Sequence, residues 1–425
     1  MAEVRQTTLP RRVLRSGKRA LNSLVVRATA IVIKSPTIAL CVMYLTTSEV
    51  WRLALRSRLT AAPLRLEGSW SYPAPTPSNS EARNRLANLP SPDDFSRIFA
   101  KTLPANFPTL YLEGYKSAKD DTLKRYPKFP KVLTSLTGWY FDEHFKFLAA
   151  EASEIGTRLV AFQHGGAYGF LEYVPEEFHE TSISDSYMVW GWANGSNNQR
   201  NLPSPKLAPS IGIHRSNSKH DSKDRVLFVT IAGPQYLLRF ISMPVGAQLE
   251  EYFDWGLRFI EANTQTTRQK IIWRPLHIDY GWGVKKRVTD KFPNVEWDDG
   301  RPYRDRLKSS RVVVLDNPIT TFLEALIANV PTILFWDREL WEVRTAAEPY
   351  CENLRQAGIL WDNPEEAASK LESIYDDPWA WWGKKEVQET RERFVKQYAL
   401  SSKNWASHFA RALKEEESLY QAANA

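Results

Sequence analysis

The chain has 425 residues, 43% hydrophobic and 25% charged, which exceeds one ordinary core and suits two domains of about 150–200 residues each. That composition excludes disordered and collagen-like classes. The net charge of +7 is concentrated before residue 66, where twelve Lys and Arg stand against Glu3 and Glu49; the slightly acidic remainder argues against a nucleic-acid-binding body.

Taken in chain order, residues 1–60 read as a basic arm. The apolar run 35–47 is too short to span a bilayer, and extending it upstream brings in Arg27 and Lys34. No clean cleavage site follows it. Two readings are left: an arm lying on an anionic membrane surface, or a solvated extension leading into a domain helix. Prolines are dense from Ala62 to Pro108, which predicts an irregular, loop-rich stretch.

An α/β pattern then begins. TLYLEG (109–114) and KVLTSL (131–136) read as strands, 141–155 as a helix, RLVAFQHGG (158–166) as a buried strand ending in glycines, and SYMVWGW (186–192) as a further strand. The polar stretch 194–224 is the domain boundary, with SNSKHDSKD as its hinge. Beyond it RVLFVTIAG (225–233), KIIWRPL (270–276), RVVVLDNP (311–318) and PTILFW (331–336) read as four strands. Helices are predicted over 246–264, 319–328, 344–357, 364–375 and 384–415. The predicted class is α/β, with two Rossmann-like domains facing a cleft (residues 61–220 and 225–400), C-terminal helices, and a helical tail over 401–425.

The two cysteines, Cys41 and Cys351, lie far apart and form neither a disulfide framework nor a CxxC zinc pattern. The seven histidines include no HExxH. A reducing compartment and a mechanism without metal or cofactor are expected.

Three segments carry candidate chemistry. Gln163, His164, Gly165 and Gly166 close a buried strand, and the glycine pair lets a ligand or another backbone come close. His164 could hold a phosphate as imidazolium, act as general base, or simply be bonded inside a turn. Asp316-Asn317-Pro318-Ile319-Thr320-Thr321 leads from a strand into a helix. Its backbone N–H groups and dipole favour a diphosphate, with Glu324 one turn on to accept ribose hydroxyls. Ordinary capping by Asn317 or Thr320 is the plainer alternative. Arg274 ends a strand and could fork onto phosphate, or pair with an acid at the surface. Glu113, Asp142 and Glu143 are the carboxylates from which a catalytic one is drawn, with Glu113 and Asp142 preferred.

The order of Phe162–Gly166 with Tyr168-Gly169, Trp190-Gly191-Trp192, Trp273-Arg274-Pro275 and 316–326 resembles the transferases encoded in bacterial O-antigen and other surface-polysaccharide clusters. More distantly it is similar to capsule Kdo transferases and CDP-glycerol glycerophosphotransferases. The resemblance covers about residues 105–400. It implies a GT-B-like glycosyltransferase that moves a sugar or sugar acid from a nucleotide-activated donor to a glycan or lipid-linked glycan acceptor. The nucleotide would sit near Arg274, Asn317, Thr320, Thr321 and Glu324. The enzyme would be cytoplasmic, and peripheral on the inner face of the plasma membrane if the basic arm is of the membrane-surface kind. A CDP-alcohol phosphotransferase and a nucleotide-sugar epimerase are the enzymatic alternatives. A non-catalytic membrane- or polyanion-binding protein is the alternative of another class.

Overall fold

The computed structural model describes residues 36–64, 77–196, 198–213, 224–237 and 239–424. The arm before residue 36, and nearly all of the expected hinge, lie outside the described residues. The chain divides into two compact units, Met1–Val160 with Ala410–Ala425, and Ala161–Phe409.

The first unit contains β1 (Ile38–Cys41), α1 (Thr47–Arg56), β2 (Ala61–Pro63), α2 (Ser80–Ala87), α3 (Asp94–Asn106), α4 (Tyr115–Arg125), β3 (Val132–Ser135), α5 (Gly138–Phe141) and α6 (Glu143–Glu154). The division falls within β4 (Arg158–Phe162). In the second unit come α7 (Pro175–Ile183), β5 (Ser186–Val189), β6 (Gln199–Asn201), β7 (Val226–Val229), α8 (Gln248–Ala262) and α9 (Gln265–Arg268). They are followed by β8 (Ile271–Arg274), α10 (Val284–Lys291), β9 (Glu296–Trp297), α11 (Tyr303–Ser309), β10 (Val312–Leu315) and α12 (Thr320–Ala328). The last elements are β11 (Thr332–Phe335), α13 (Glu348–Gln356), β12 (Leu360–Trp361), α14 (Pro364–Ile374), α15 (Pro378–Trp382), α16 (Lys385–Tyr398) and α17 (Trp405–Ala423).

Two six-stranded sheets result, ordered β2-β1-β3-β4-β5-β6 and β12-β11-β10-β7-β8-β9. The expected α/β class with two parallel sheets and C-terminal helices is what the chain adopts. In the second sheet β7 pairs in parallel with both β8 and β10. Its central strands VLFV, VVVL and TILF are buried at every position, because a parallel sheet covered by helices exposes neither face. Phe228, Phe259 and Phe335 pack together between sheet and α8, with ring centroids 4.9–6.0 Å apart.

Several local expectations are corrected. The apolar run 35–47 supplies β1, buried at all four positions and paired with β2 and β3, so the folded body begins before residue 60. Thr46 and Glu49 then form a capping box that starts α1. No helix among the described residues is long and apolar enough to cross a membrane.

The proline-rich stretch holds two helices. Asn79 caps α2 and Asp93 caps α3, while Pro90 and Pro92 fall between them. TLYLEG is no strand: Thr109–Tyr111 form a 3-10 turn with no buried residue. The expected helix 384–415 is two helices. Between them the Leu400 N–H donates to the Trp190 carbonyl and the Leu400 carbonyl accepts from Ser204 N–H, at 2.9 and 2.8 Å, so the chain leaves the helix to bond beside β5.

Candidate functional site

The loop leaving β4 is built around Gln163. Its side chain is buried, its Oε1 accepts from Trp190 N–H and Trp192 Nε1–H, both at 2.7 Å, and its Nε2 donates to the Gly165 carbonyl. Gln163 therefore shapes the loop from inside.

The adjacent glycines answer to packing. A Cβ on Gly166 would stand 2.9 Å from the Ile319 carbonyl oxygen and 2.9 Å from Thr320 Cα, and the Gly166 N–H donates to Thr320 Oγ1 at 3.0 Å. Another backbone, the N-terminus of α12, is what comes close here. At Gly165 a Cβ would meet the Tyr168 ring at 3.3 Å. Gly169 has φ +68°, and its Cβ would lie 2.0 Å from the Trp192 indole, so only glycine fits.

His164 Nε2 is 2.5 Å from the Tyr168 hydroxyl and 3.2 Å from Glu180 Oε1. Glu180 is fully buried and also accepts from the Tyr187 hydroxyl. Burial, with the positive charges of Lys206 and Arg239 nearby, pulls His164 down to about 3. The imidazole is thus neutral at physiological pH, which removes the imidazolium–phosphate option. Nearby, buried Glu177 accepts from Gly169 N–H at 2.7 Å and pairs with Arg344 at 2.8 Å.

The strand-to-helix turn after β10 is buried at Asp316, Asn317 and Thr320 and half-buried at Ile319 and Thr321. Asp316 accepts from the Tyr252 hydroxyl at 2.6 Å and from Asn317 Nδ2 at 2.9 Å. Burial raises the Asp316 carboxyl to about 7. The first turn of α12 has no side-chain cap from Ile319, which leaves its leading N–H groups for other partners. Thr320 is engaged by Gly166, and Tyr303 donates to the Thr321 carbonyl at 3.0 Å.

Glu324, nearly buried on α12, pairs with Arg304 Nε at 3.3 Å and accepts from the Ser210 hydroxyl at 3.3 Å. Burial raises its carboxyl, and the positive charges of Arg304 and Lys206 oppose that rise. Arg304 also donates to the Lys206 carbonyl at 2.8 Å, and Lys206 Nζ to the His164 carbonyl at 3.2 Å. The His164 carbonyl and Glu324 are thus linked through Lys206 and Arg304, with Ser210 on Glu324, while Gly166 bonds Thr320 directly. Sequence reasoning did not select Lys206, Ser210 or Arg304. Lys206 and Ser210 lie in the polar boundary stretch, and Arg304 opens a short helix; none ends a strand.

The other candidates are held elsewhere. Arg274 donates to Asp298 at 2.6 Å and to the Arg301 carbonyl at 2.9 Å, and lies over the Tyr303 ring. In the first unit Glu113 takes a bidentate pair from Arg83 at 2.7 and 2.9 Å plus Asn79 N–H, which holds its carboxyl down at about 2. Asp142 caps α6 by accepting from Phe145 N–H at 3.0 Å. Among the described residues no group of three or more His, Cys, Asp or Glu is placed to hold a metal ion.

Residues 4–413 match the model of the LIC12162 family transferases. The chain belongs to that family. It is therefore a transferase. No curated protein matches it. Among solved structures it is similar to an α,α-trehalose-phosphate synthase (UDP-forming) from Burkholderia vietnamiensis, with 12% identity over 89% of this chain and 97% of that one (TM-score 0.45). It is also similar to MurG of Acinetobacter baumannii, at 9% identity over 93% and 95% (TM-score 0.43). A third is WaaG, a glycosyltransferase involved in lipopolysaccharide biosynthesis, at 11% identity over 88% and 99% (TM-score 0.39).

Proposed function

We propose that this LIC12162 family transferase moves a sugar or sugar acid from a nucleotide-activated donor to a glycan acceptor of the surface-polysaccharide kind. The observation that carries the reading is the first turn of α12: no side-chain cap from Ile319, Thr320 and Thr321 at its head, and Glu324 beside Arg304 and Lys206. N–H groups at the head of a helix without a side-chain cap, with two cations nearby, suit a diphosphate, and a carboxylate one turn on suits ribose hydroxyls.

In the reaction an acceptor hydroxyl oxygen forms a bond to the donor's anomeric carbon. The bond from that carbon to phosphate breaks, and the nucleoside diphosphate leaves with the electron pair. The α12 amides, Arg304 and Lys206 stabilise the charge that develops on it. Neutral His164, its ring 3.2 Å from Glu180, orients the acceptor hydroxyl, whose proton passes to the leaving diphosphate. Glu113 and Asp142 are left out of the chemistry because their carboxylates already serve Arg83 and the start of α6. The enzyme would work on the cytoplasmic side, its basic arm drawing it to the inner membrane surface.

Thermal melting with CMP, CDP, UDP and GDP tests the reading. Saturable stabilisation by a nucleoside diphosphate supports it, since a ligand held only by the folded state raises the melting temperature. Transfer of a phosphate-bearing group from a CDP-alcohol would replace it with the phosphotransferase reading. No response to any nucleotide contradicts both.

A further inference from the structure

Trp190-Gly191-Trp192 has a second consequence beyond the loop at Gln163. Gly191 has φ +113°, and a Cβ there would lie 2.5 Å from the Lys396 carbonyl oxygen, so the strand end presses directly on α16. Beside this contact is a cavity of about 590 Å³, walled by Gly191, Asn201, Tyr350, Asn353, Arg393 and Lys396 among others. Its volume is in the range of small-ligand sites, about 300–1,000 Å³. It shares no residue with the cluster around Glu324.

The wall has a consistent chemistry. Arg393 and Lys396 stand three residues apart on α16, with Gln397 next to Lys396, and Tyr350 and Asn353 stand three apart on α13. The wall includes no Asp or Glu. Among the described residues neither Arg393 nor Lys396 has an ion-pair partner, although Arg391 and Lys385 on the same helix do. Two cations without counter-charge call for an anion. Amides and a tyrosine ring beside them suit the hydroxyls and the apolar face of a sugar.

We propose that this cavity is a second binding site, separate from the one around Glu324, and that it takes a sugar-sized ligand bearing a phosphate or a carboxylate. On the proposed function it would hold an acidic unit of the acceptor glycan, but the site stands on its own residues.

The test is calorimetric titration of the full chain with glucose 6-phosphate, glucuronate, glucose and inorganic phosphate. At least one charged sugar should bind about tenfold tighter than both glucose and inorganic phosphate, and which one does so tells phosphate from carboxylate recognition. The double variant Arg393→Gln/Lys396→Gln, whose exposed side chains can change without disturbing the core, should lose about tenfold or more of that affinity at an unchanged melting temperature. Its affinity for nucleoside diphosphates should stay as in the parent. The proposal is overturned if neither charged sugar exceeds glucose, if inorganic phosphate binds as tightly as the sugars, or if the double variant binds equally well. A parallel loss of nucleotide affinity would also overturn it, by making the cavity part of the donor site.

Discussion

Gly166 shows how a glycine after a buried strand can be read correctly in chemistry and still leave its partner open. The sequence allowed a ligand or a backbone to approach; the approach is by Ile319 and Thr320. Gly166→Ala should therefore destabilise by roughly 1–3 kcal/mol, since the atoms it meets are main chain and cannot swing aside. Gly169→Ala should cost more, because a left-handed φ is added to the clash with Trp192. Chemical denaturation reads both; a neutral Gly166→Ala would mean that α12 is not seated against this loop.

Asp316 gives a pH prediction. Its folded carboxyl is raised to about 7, above the ordinary 3.8, so the folded state holds this proton more tightly than the unfolded chain. The contribution is fully present below about pH 3.8 and is lost as pH rises through about 7. Relative to Asp316→Asn, the parent should lose stability between pH 5 and pH 8. Parallel stability curves for the two proteins over that range would contradict the assignment.

At the scale of elements, α12 is fixed at both ends. Asn329 ends it with φ +56°, and its Oδ1 accepts from Trp382 Nε1 at 2.8 Å. Asn329→Ala should destabilise by about 1–3 kcal/mol, combining backbone strain with an orphaned indole N–H. Asn329→Gly should recover the backbone share only. Equal effects from the two substitutions would show that the left-handed cap contributes nothing.

Strands were the most legible elements, because continuous apolar runs such as Val312–Leu315 are diagnostic of a sheet buried on both faces. Elements governed by capping were less so. Asn79 and Asp93 start helices inside a stretch whose prolines suggested loops; Pro90 and Pro92 lie between the helices and Pro104 in the last turn of α3. The break after Tyr398 was invisible, since nothing local to it announces that Leu400 bonds to Trp190 and Ser204, residues some two hundred positions away. The same limit hid Lys206, Ser210 and Arg304. Their association with Glu324 is tertiary, while Glu324 itself followed a recognisable strand-to-helix turn.

For the whole molecule, charge and fold make separate predictions. The positive charge concentrated before residue 66 lies largely outside the described residues, and its electrostatic consequence follows from the sequence. Each basic residue near an anionic bilayer contributes about 1 kcal/mol, screened by salt. Deleting residues 1–35 should abolish co-sedimentation with phosphatidylserine vesicles at low salt while leaving nucleotide binding intact. Unchanged sedimentation would assign any membrane contact to the folded body.

The claim that joins family, fold and site is that α12 holds a nucleotide by its diphosphate and its ribose. Comparing Glu324→Gln with the parent, for the best-binding nucleoside diphosphate and for inorganic pyrophosphate, tests it most directly. Removing a charge-assisted acceptor should weaken nucleotide binding about 10–150-fold. Pyrophosphate, which has no ribose, should bind as tightly as before or tighter, since Arg304 is released from its pair. Unchanged nucleotide affinity, or an equal loss for both ligands, would contradict the account.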